Sequence, residues 1–273
     1  MDFSTLFPGA TTWVEGLPQV WPFLYLQDIY APFGALHLVG LALLGGCVLL
    51  LNLRLMGAGL TGETPSAVER NLRPWLITGA VIVIGTGLII GALNSSKLFY
   101  SAAFFIKMVA MVSALIFTFG VSASVAKRDG VISTNAKIAA VVAFLIWLFS
   151  LSVFSTAQGV SPGVFHMIAA GYAILLIFGG KLSRVIGVAT FAILFGGNFV
   201  MYFFVGFDNP DQIWQDISKY SLMIGSLVLI GLLAYEIYVG KAETGSKLAK
   251  LIALCSILTW VTVAAGGRWI GFS

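Results

Sequence analysis

Eight apolar stretches set the terms for what this chain can fold into. They run roughly over 33–57, 72–94, 99–123, 136–157, 162–180, 184–206, 217–240 and 248–268. Each is close to the about 20 residues that a helix needs to cross a bilayer. Only 10% of the residues are charged, against about 25% in soluble domains, which excludes an ordinary soluble enzyme. Disorder is excluded as well, because it requires low hydrophobicity and 59% of this chain is hydrophobic. Short connections and a segment over 1–32 are all that remain, so no separate soluble domain fits. The expected fold is all-α: a polytopic membrane protein of eight transmembrane helices.

The basic residues alternate between connections. Eleven of the fifteen fall on one side: Arg54, Arg70 and Arg73; Lys127, Arg128 and Lys137; Lys181 and Arg184; Lys241, Lys247 and Lys250. The other side holds Lys97, Lys107, Lys219 and Arg268 beside most of the acids. The positive-inside rule then predicts both termini outside. The first 53 residues contain no Lys or Arg, so no basic region of a cleavable signal peptide is expected. Residues 11–32 mix Trp, Tyr and Phe with two acids and three prolines. This reads as an interfacial segment on the outer surface, because amphipathic aromatics favour that depth; a partner-docking surface is the alternative.

The chain also resembles itself. GALHLVGLALLGG (34–46) matches GVFHMIAAGYAIL (163–175) at an offset of 129, which puts Gly34 on Gly163 and His37 on His166. Gly85 and Lys107 match Gly197 and Lys219 at 112, and AKIAAVVAFLIW (136–147) matches AKLIALCSILTW (249–260) at 113. A longer loop near 57–73 in the first copy accounts for the drop in offset. The organisation expected is an outer segment 1–32 and two parallel four-helix repeats, 33–160 and 161–273, related by an axis along the membrane normal.

The polar residues follow this repeat. His37 and His166 are the only histidines. They lie 17 and 18 residues before Arg54 and Arg184, about 25–27 Å along a helix, which places both near the outer edge of the hydrocarbon. Lys107, Lys219 and Arg268 reach the same level, Arg268 breaking the symmetry because its counterpart is Ser155. Each cation either snorkels or meets an anion. Two neutral imidazoles facing each other could ligate one iron axially, and the three cations would suit the propionates of a porphyrin. Glycines and alanines around each histidine give a flat macrocycle clearance, and equally serve close helix packing. Gly85, Gly87, Gly196 and Gly197 read as helix contacts, Asn198 as an interhelical hydrogen bond, Trp147 and Trp260 as packing anchors. Met108, Met111, Met167, Met201 and Met223 read as packing residues rather than soft-metal ligands. Cys47 and Cys255 both lie in apolar stretches, suggesting neither a disulfide nor a zinc site. The chain shows no P-loop, nucleophile elbow, metalloprotease helix or carboxylate dyad.

Three segments carry a resemblance to a known family: the His-led helix HLVGLALLGGCVLLLNLRL, RNLRPWLITGAVIVIGTGLIIGAL, and FFIKMVAMVSALIF with its embedded lysine. Together with the closing KLIALCSILTWVTVAAGGRWIGF they resemble the copper-resistance D (CopD) family and its relatives, which in turn are similar to four-helix b-type cytochromes. The resemblance implies an eight-helix bundle of two four-helix units in a bacterial inner membrane. It also implies His37 and Lys107, with His166 and Lys219 by repetition, as functional positions.

The leading reading is an integral-membrane b-type cytochrome: one haem b near the outer face, ligated by His37 and His166, its propionates neutralised by Lys107, Lys219 and Arg268. Two axial imidazoles leave no open coordination position, so electron transfer is expected rather than oxygen chemistry. The exchange partners would be a quinone or an outer-side redox protein. A copper-binding or copper-transporting protein would use the same histidines with Met167, Met108 or Met111. The third reading is a non-catalytic subunit of a larger complex or a homo-oligomer. An electron carrier or subunit is expected rather than a stand-alone enzyme, with no nucleic-acid partner.

Overall fold

The computed structural model describes residues 1–157, 161–205, 212–239 and 246–272, and their regular secondary structure is entirely helical. After short N-terminal helical turns come α1 (Tyr30–Met56), α2 (Pro65–Leu93), α3 (Ala102–Lys127), α4 (Thr134–Thr156) and α5 (Phe165–Phe178). Then follow α6 (Lys181–Phe191, continued beyond a π turn as Gly197–Val205), α7 (Gln212–Val239) and α8 (Lys247–Trp269). Seven of these contain a stretch long and apolar enough to cross a membrane, so the chain is a multi-pass membrane protein. The exception is α5. The sequence predicts a span over 162–180, but α5 has 14 residues, about 21 Å at ~1.5 Å per residue. A hydrocarbon core is about 30 Å thick. Pro162 and Gly163 precede α5, and Gly179 and Gly180 end its regular hydrogen bonding.

The ends of the long helices follow from local chemistry. Thr64, Ser101, Ser133 and Ser246 each accept a backbone N–H at the start of α2, α3, α4 and α8, as N-caps do. Gly57 closes α1 with φ 78°, a left-handed turn that glycine adopts without steric cost.

The chain divides into two compact units, residues 1–164 with 244–273, and residues 165–243. The first contains α1 to α4 and α8. The last helix therefore packs among the first four, although the sequence places it in the second repeat. It is the central helix of this unit: 67% of its apolar window is buried, against 28–44% for α1 to α4. Its contact side is built from small and hydroxyl residues, among them Ala249, Ala253, Ser256, Thr259 and Gly266, all buried. Such residues let membrane helices approach closely.

Two close approaches fix α1 against α2. A Cβ added at Gly79 would lie 2.9 Å from the Leu44 backbone nitrogen, and one at Gly40 would lie 2.7 Å from Ile82 Cγ2. Further along, Asn52 donates to Ser256 Oγ (3.2 Å) and accepts from Ser122 Oγ (2.8 Å), joining α1, α8 and α3. Trp260 Nε1 donates to Thr118 Oγ1 and Trp147 Nε1 to Thr262 Oγ1, both at 2.8 Å. Thr118 and Ser122 belong to a π-helical turn of α3, Ile116–Ser122, which turns both hydroxyls towards these partners. At the basic end of the unit, the buried Glu69 carboxylate receives Arg73 in two hydrogen bonds and Lys127 at 3.8 Å.

The second unit contains α5, α6 and α7. Phe165, Tyr172, Phe191 and Phe195 form an aromatic cluster, and Tyr172 Oη donates to the Gly225 carbonyl (2.7 Å).

Candidate functional site

His37 sits early on α1 and faces α2. Its Nδ1 lies 2.8 Å from Thr86 Oγ1, while the Thr86 hydroxyl lies 2.6 Å from the Ile82 carbonyl one turn back on α2. A threonine hydroxyl has one proton. Donating it to Ile82, in the manner common for threonine in helices, leaves the oxygen to accept from His37. The imidazole is thereby held as the Nδ1–H tautomer, with the lone pair on Nε2. The Val83 backbone carbonyl is the second polar group against the ring. Gly87 makes room beside the ring: a Cβ there would lie 3.3 Å from His37 Cε1.

The ring borders a cavity of about 610 Å³ within the first unit, inside the range of small-molecule sites. Its walls are almost wholly apolar, with Val83 and Leu88 from α2, Phe104, Met108 and Met111 from α3, and Trp260 from α8. Lys107 joins His37 in the lining, and among the described residues no carboxylate does. Lys107 is half-buried on α3 and has neither an ion pair nor a hydrogen bond among the described residues. Gly266 of α8 allows this position, since a Cβ there would come within 3.2 Å of the Lys107 backbone.

The N-terminal segment covers one end of the cavity with Trp13, Val14, Leu17 and Phe23. It is tied down by Ser95 Oγ donating to the Val14 carbonyl (2.6 Å) and by Tyr100 Oη donating to Glu15 Oε1 (2.9 Å). The Glu15 carboxylate accordingly raises the Tyr100 phenol above its ordinary value. Phe3 meets Phe105 edge-on and Phe104 at a tilt. The segment is thus packed onto the bundle through specific contacts, while Trp13, Trp21 and Tyr25 stay exposed.

The structure brings together two of the five residues singled out by sequence, His37 and Lys107. His166 begins α5 in the other unit, with its side chain exposed. Arg268 is exposed on α8, and its neighbour Gly267 is the residue that packs beside Lys107 Nζ. The side chain of Lys219 lies outside the described residues, as does that of Met201. Met108 and Met111 line the cavity, whereas Met167 is buried in the second unit and Met223 is exposed. Asn198 does not bridge helices: its amide donates to Leu194 of its own helix. Thr86 is the functional residue that the sequence reading missed. Its only sequence signal is its position between Gly85 and Gly87.

Chemically, the site offers one imidazole oriented by Thr86, one ammonium group, two thioethers and a largely apolar cavity with aromatic walls. No curated protein and no solved structure matches the chain. The model of one family, described as "Family of unknown function (DUF6644)", matches residues 24–162 and 176–273. That covers most of the sequence on both sides of α5, and the chain belongs to this family.

Proposed function

We propose that this protein is a membrane-integral b-type cytochrome that carries electrons, with His37 as an axial ligand of its haem. The observation that carries the reading is the chain from His37 Nδ1 through Thr86 to the Ile82 carbonyl. A metal-binding histidine is typically oriented by such a hydrogen bond on its other nitrogen. The residues present fit the group. Among the described residues no three His, Cys, Asp or Glu converge on a point, so a metal at His37 needs most of its ligands from elsewhere, and a porphyrin brings its own equatorial nitrogens. The apolar chamber suits the ring and Lys107 suits a propionate. When bound, the haem would supply one-electron chemistry at a potential set by its axial ligands and surroundings.

The sequence repeat names His166 as the second axial ligand, and Lys219 and Arg268 as further propionate partners. Eight crossings with both termini outside, in a bacterial inner membrane, complete the reading, as does exchange of electrons with a quinone or an outer-side redox protein. The charge asymmetry of the connections supports the topology, and the resemblance to the CopD family supports the membrane. A reduced-minus-oxidised spectrum of detergent-purified protein, with a pyridine haemochrome assay, tests the proposal. Stoichiometric haem that is lost in His37→Ala supports it. A colourless protein overturns it, as does six-coordinate haem retained in both His37→Ala and His166→Ala.

One observation favours a second reading. Met108 and Met111 share the cavity with His37, and thioethers with imidazole are ligands for copper(I). Stoichiometric copper without a porphyrin band would select it. Neither metal nor pigment, with co-purifying partners, would select a subunit of a larger complex.

A further inference from the structure

The apolar cavity is one of two joined chambers. A second, of about 280 Å³, shares His37, Gly87, Gly91, Leu98, Phe104 and Lys107 with the first. Its own walls are different in kind: Tyr30, Asn94, Lys97, Gly267 and Gly271 line it, and polar and apolar surface are nearly balanced. The larger chamber exposes almost nothing but carbon. Lys107 stands at the junction.

Lys97 reaches the smaller chamber for a structural reason. It belongs to a short helix, Ser95–Phe99, between α2 and α3. Ser95, Leu98 and Phe99 of that helix are buried, and Ser95 is bonded to Val14. The buried face leaves Lys97 on the exposed side, where it lines the chamber. Like Lys107, it has no ion pair or hydrogen bond among the described residues. Two ammonium groups therefore line a polar chamber whose walls, among the described residues, carry no carboxylate. The adjoining low-dielectric enclosure strengthens their attraction for an anion beyond its value in water.

We infer that the joined chambers form a site for an anionic amphiphile: the apolar body fills the larger chamber, and Lys97 and Lys107 clamp its carboxylates in the smaller one. This rests on the haem reading for the identity of the body, which would then be the porphyrin with its propionate edge towards Lys97. The clamp itself depends only on charge and polarity. Lys97 is thereby assigned a binding role, and the anionic edge is directed to the end of the bundle that carries the N-terminal segment.

The test compares carboxylates with their esters. Purified apo-protein is titrated with haem b and with its dimethyl ester, and separately with dansyl-undecanoic acid and its methyl ester. Wild type, K97Q, K107Q and the double variant are compared, with K127Q as a control outside both chambers. The expected result is a preference of wild type for each free acid over its ester, reduced about tenfold by each lysine substitution. Ester affinities stay unchanged, which shows that the variants are folded. Equal affinity of wild type for acid and ester would overturn the clamp, as would lysine variants that weaken acid and ester alike. Binding of none of the four probes would overturn it too. If the dansyl acid shows the lysine-dependent preference but neither porphyrin binds, the clamp stands and the haem reading falls. If haem binds and the double variant keeps the wild-type ratio of acid to ester, the reverse holds.

Discussion

Replacing Thr86 with Val should change the chemistry of His37 while leaving the helices in place. Valine keeps the shape of threonine and removes the oxygen that accepts from His37 Nδ1 at 2.8 Å. The Ile82 carbonyl, which loses the Thr86 hydroxyl at 2.6 Å, lies within α2 and keeps its place in the helical ladder, so the loss of that bond by itself costs folding no more than about 1 kcal/mol. For the imidazole two outcomes are open, and both weaken Nε2 as a ligand. Either the proton stays on Nδ1 unpaired, at about 1–3 kcal/mol, or it moves to Nε2 and blocks the lone pair. Losing such an orienting partner costs about 10- to 100-fold in metal affinity. His37 is only half-buried, so water can partly replace Thr86, and the expected loss is near tenfold, about 1.4 kcal/mol. Haem titration followed at the Soret band measures the affinity. The tautomer is read without any ligand, since the chain has only two histidines and ¹⁵N-histidine labelling gives two resolvable rings. Thr86→Ser should restore both readouts. A wild-type nitrogen pattern in Thr86→Val would refute the reasoning, and so would a Thr86→Ser variant as defective as the valine.

Three further predictions follow from the packing of the first unit. Gly79→Ala should cost about 1–3 kcal/mol, because the new Cβ meets Leu44 backbone at 2.9 Å and α1 must move outward by about 0.7 Å to reach an ordinary contact; Gly85→Ala, with nothing within 4 Å, should melt like wild type. A double-mutant cycle on Asn52→Ala and Ser256→Ala should give a coupling of about 0.6 kcal/mol and at most about 1.7, measured by unfolding in mixed micelles; additivity would show that the 3.2 Å bond carries nothing. Asp129, outside the spans, accepts from the Ser66 backbone N–H at 2.9 Å, and that bond holds its carboxyl below the ordinary 3.8. The depressed value means that its stabilisation is complete above that pH and is lost as pH falls through the folded value, so Asp129→Asn should flatten the acid limb of a melting-temperature profile below about pH 4.

How much of this was legible in the sequence depends on the size of the energies involved. Leaving backbone groups unsatisfied in hydrocarbon costs several kcal/mol each, so length and apolarity alone located seven long helices. For the eighth stretch, the glycines at 179 and 180 and the Pro162–Gly163 pair were the sign that α5 would be short. Counting residues along the helices put His37 and Lys107 at one level, and the two line one cavity. Direction around a helix was not readable. In a helix that is apolar on every side, the contact face is chosen by many dispersion contacts of about 0.1–0.2 kcal/mol, and one sequence does not display them. Arg268 therefore shares the depth of Lys107 yet points away from the cavity, while Gly267 beside it faces Lys107. The same limit hid Thr86, which lies 49 residues from His37 and meets it only because α1 packs on α2. It hid the position of α8 as well, which the repeat assigned to the second copy and which packs among the first four helices.

The contrast between two polar regions of the first unit bears most directly on function. Around Asn52, Ser122 and Ser256, and again where Trp260 meets Thr118 and Trp147 meets Thr262, polar side chains in the apolar interior find partners within the chain. These bonds join α1, α3, α4 and α8, and their role is complete within the fold. Near the other end of the same helices, Thr86 orients His37, and Lys107 has no ion pair among the described residues. His37 and Lys107 are both half-buried, so water reaches them when the cavity is empty and a bound ligand would replace it. Both groups line one cavity and are complementary in kind, a nitrogen ligand and a positive charge. Water could serve the lone pair, but it would leave the ammonium without a counter-charge in a cavity that, among the described residues, has no carboxylate. An occupant that offers a Lewis acid to Nε2 and an anion to Nζ satisfies both at once. That joint requirement, more than either residue alone, is what favours a metal-bearing, carboxylate-bearing ligand over a structural role for the site.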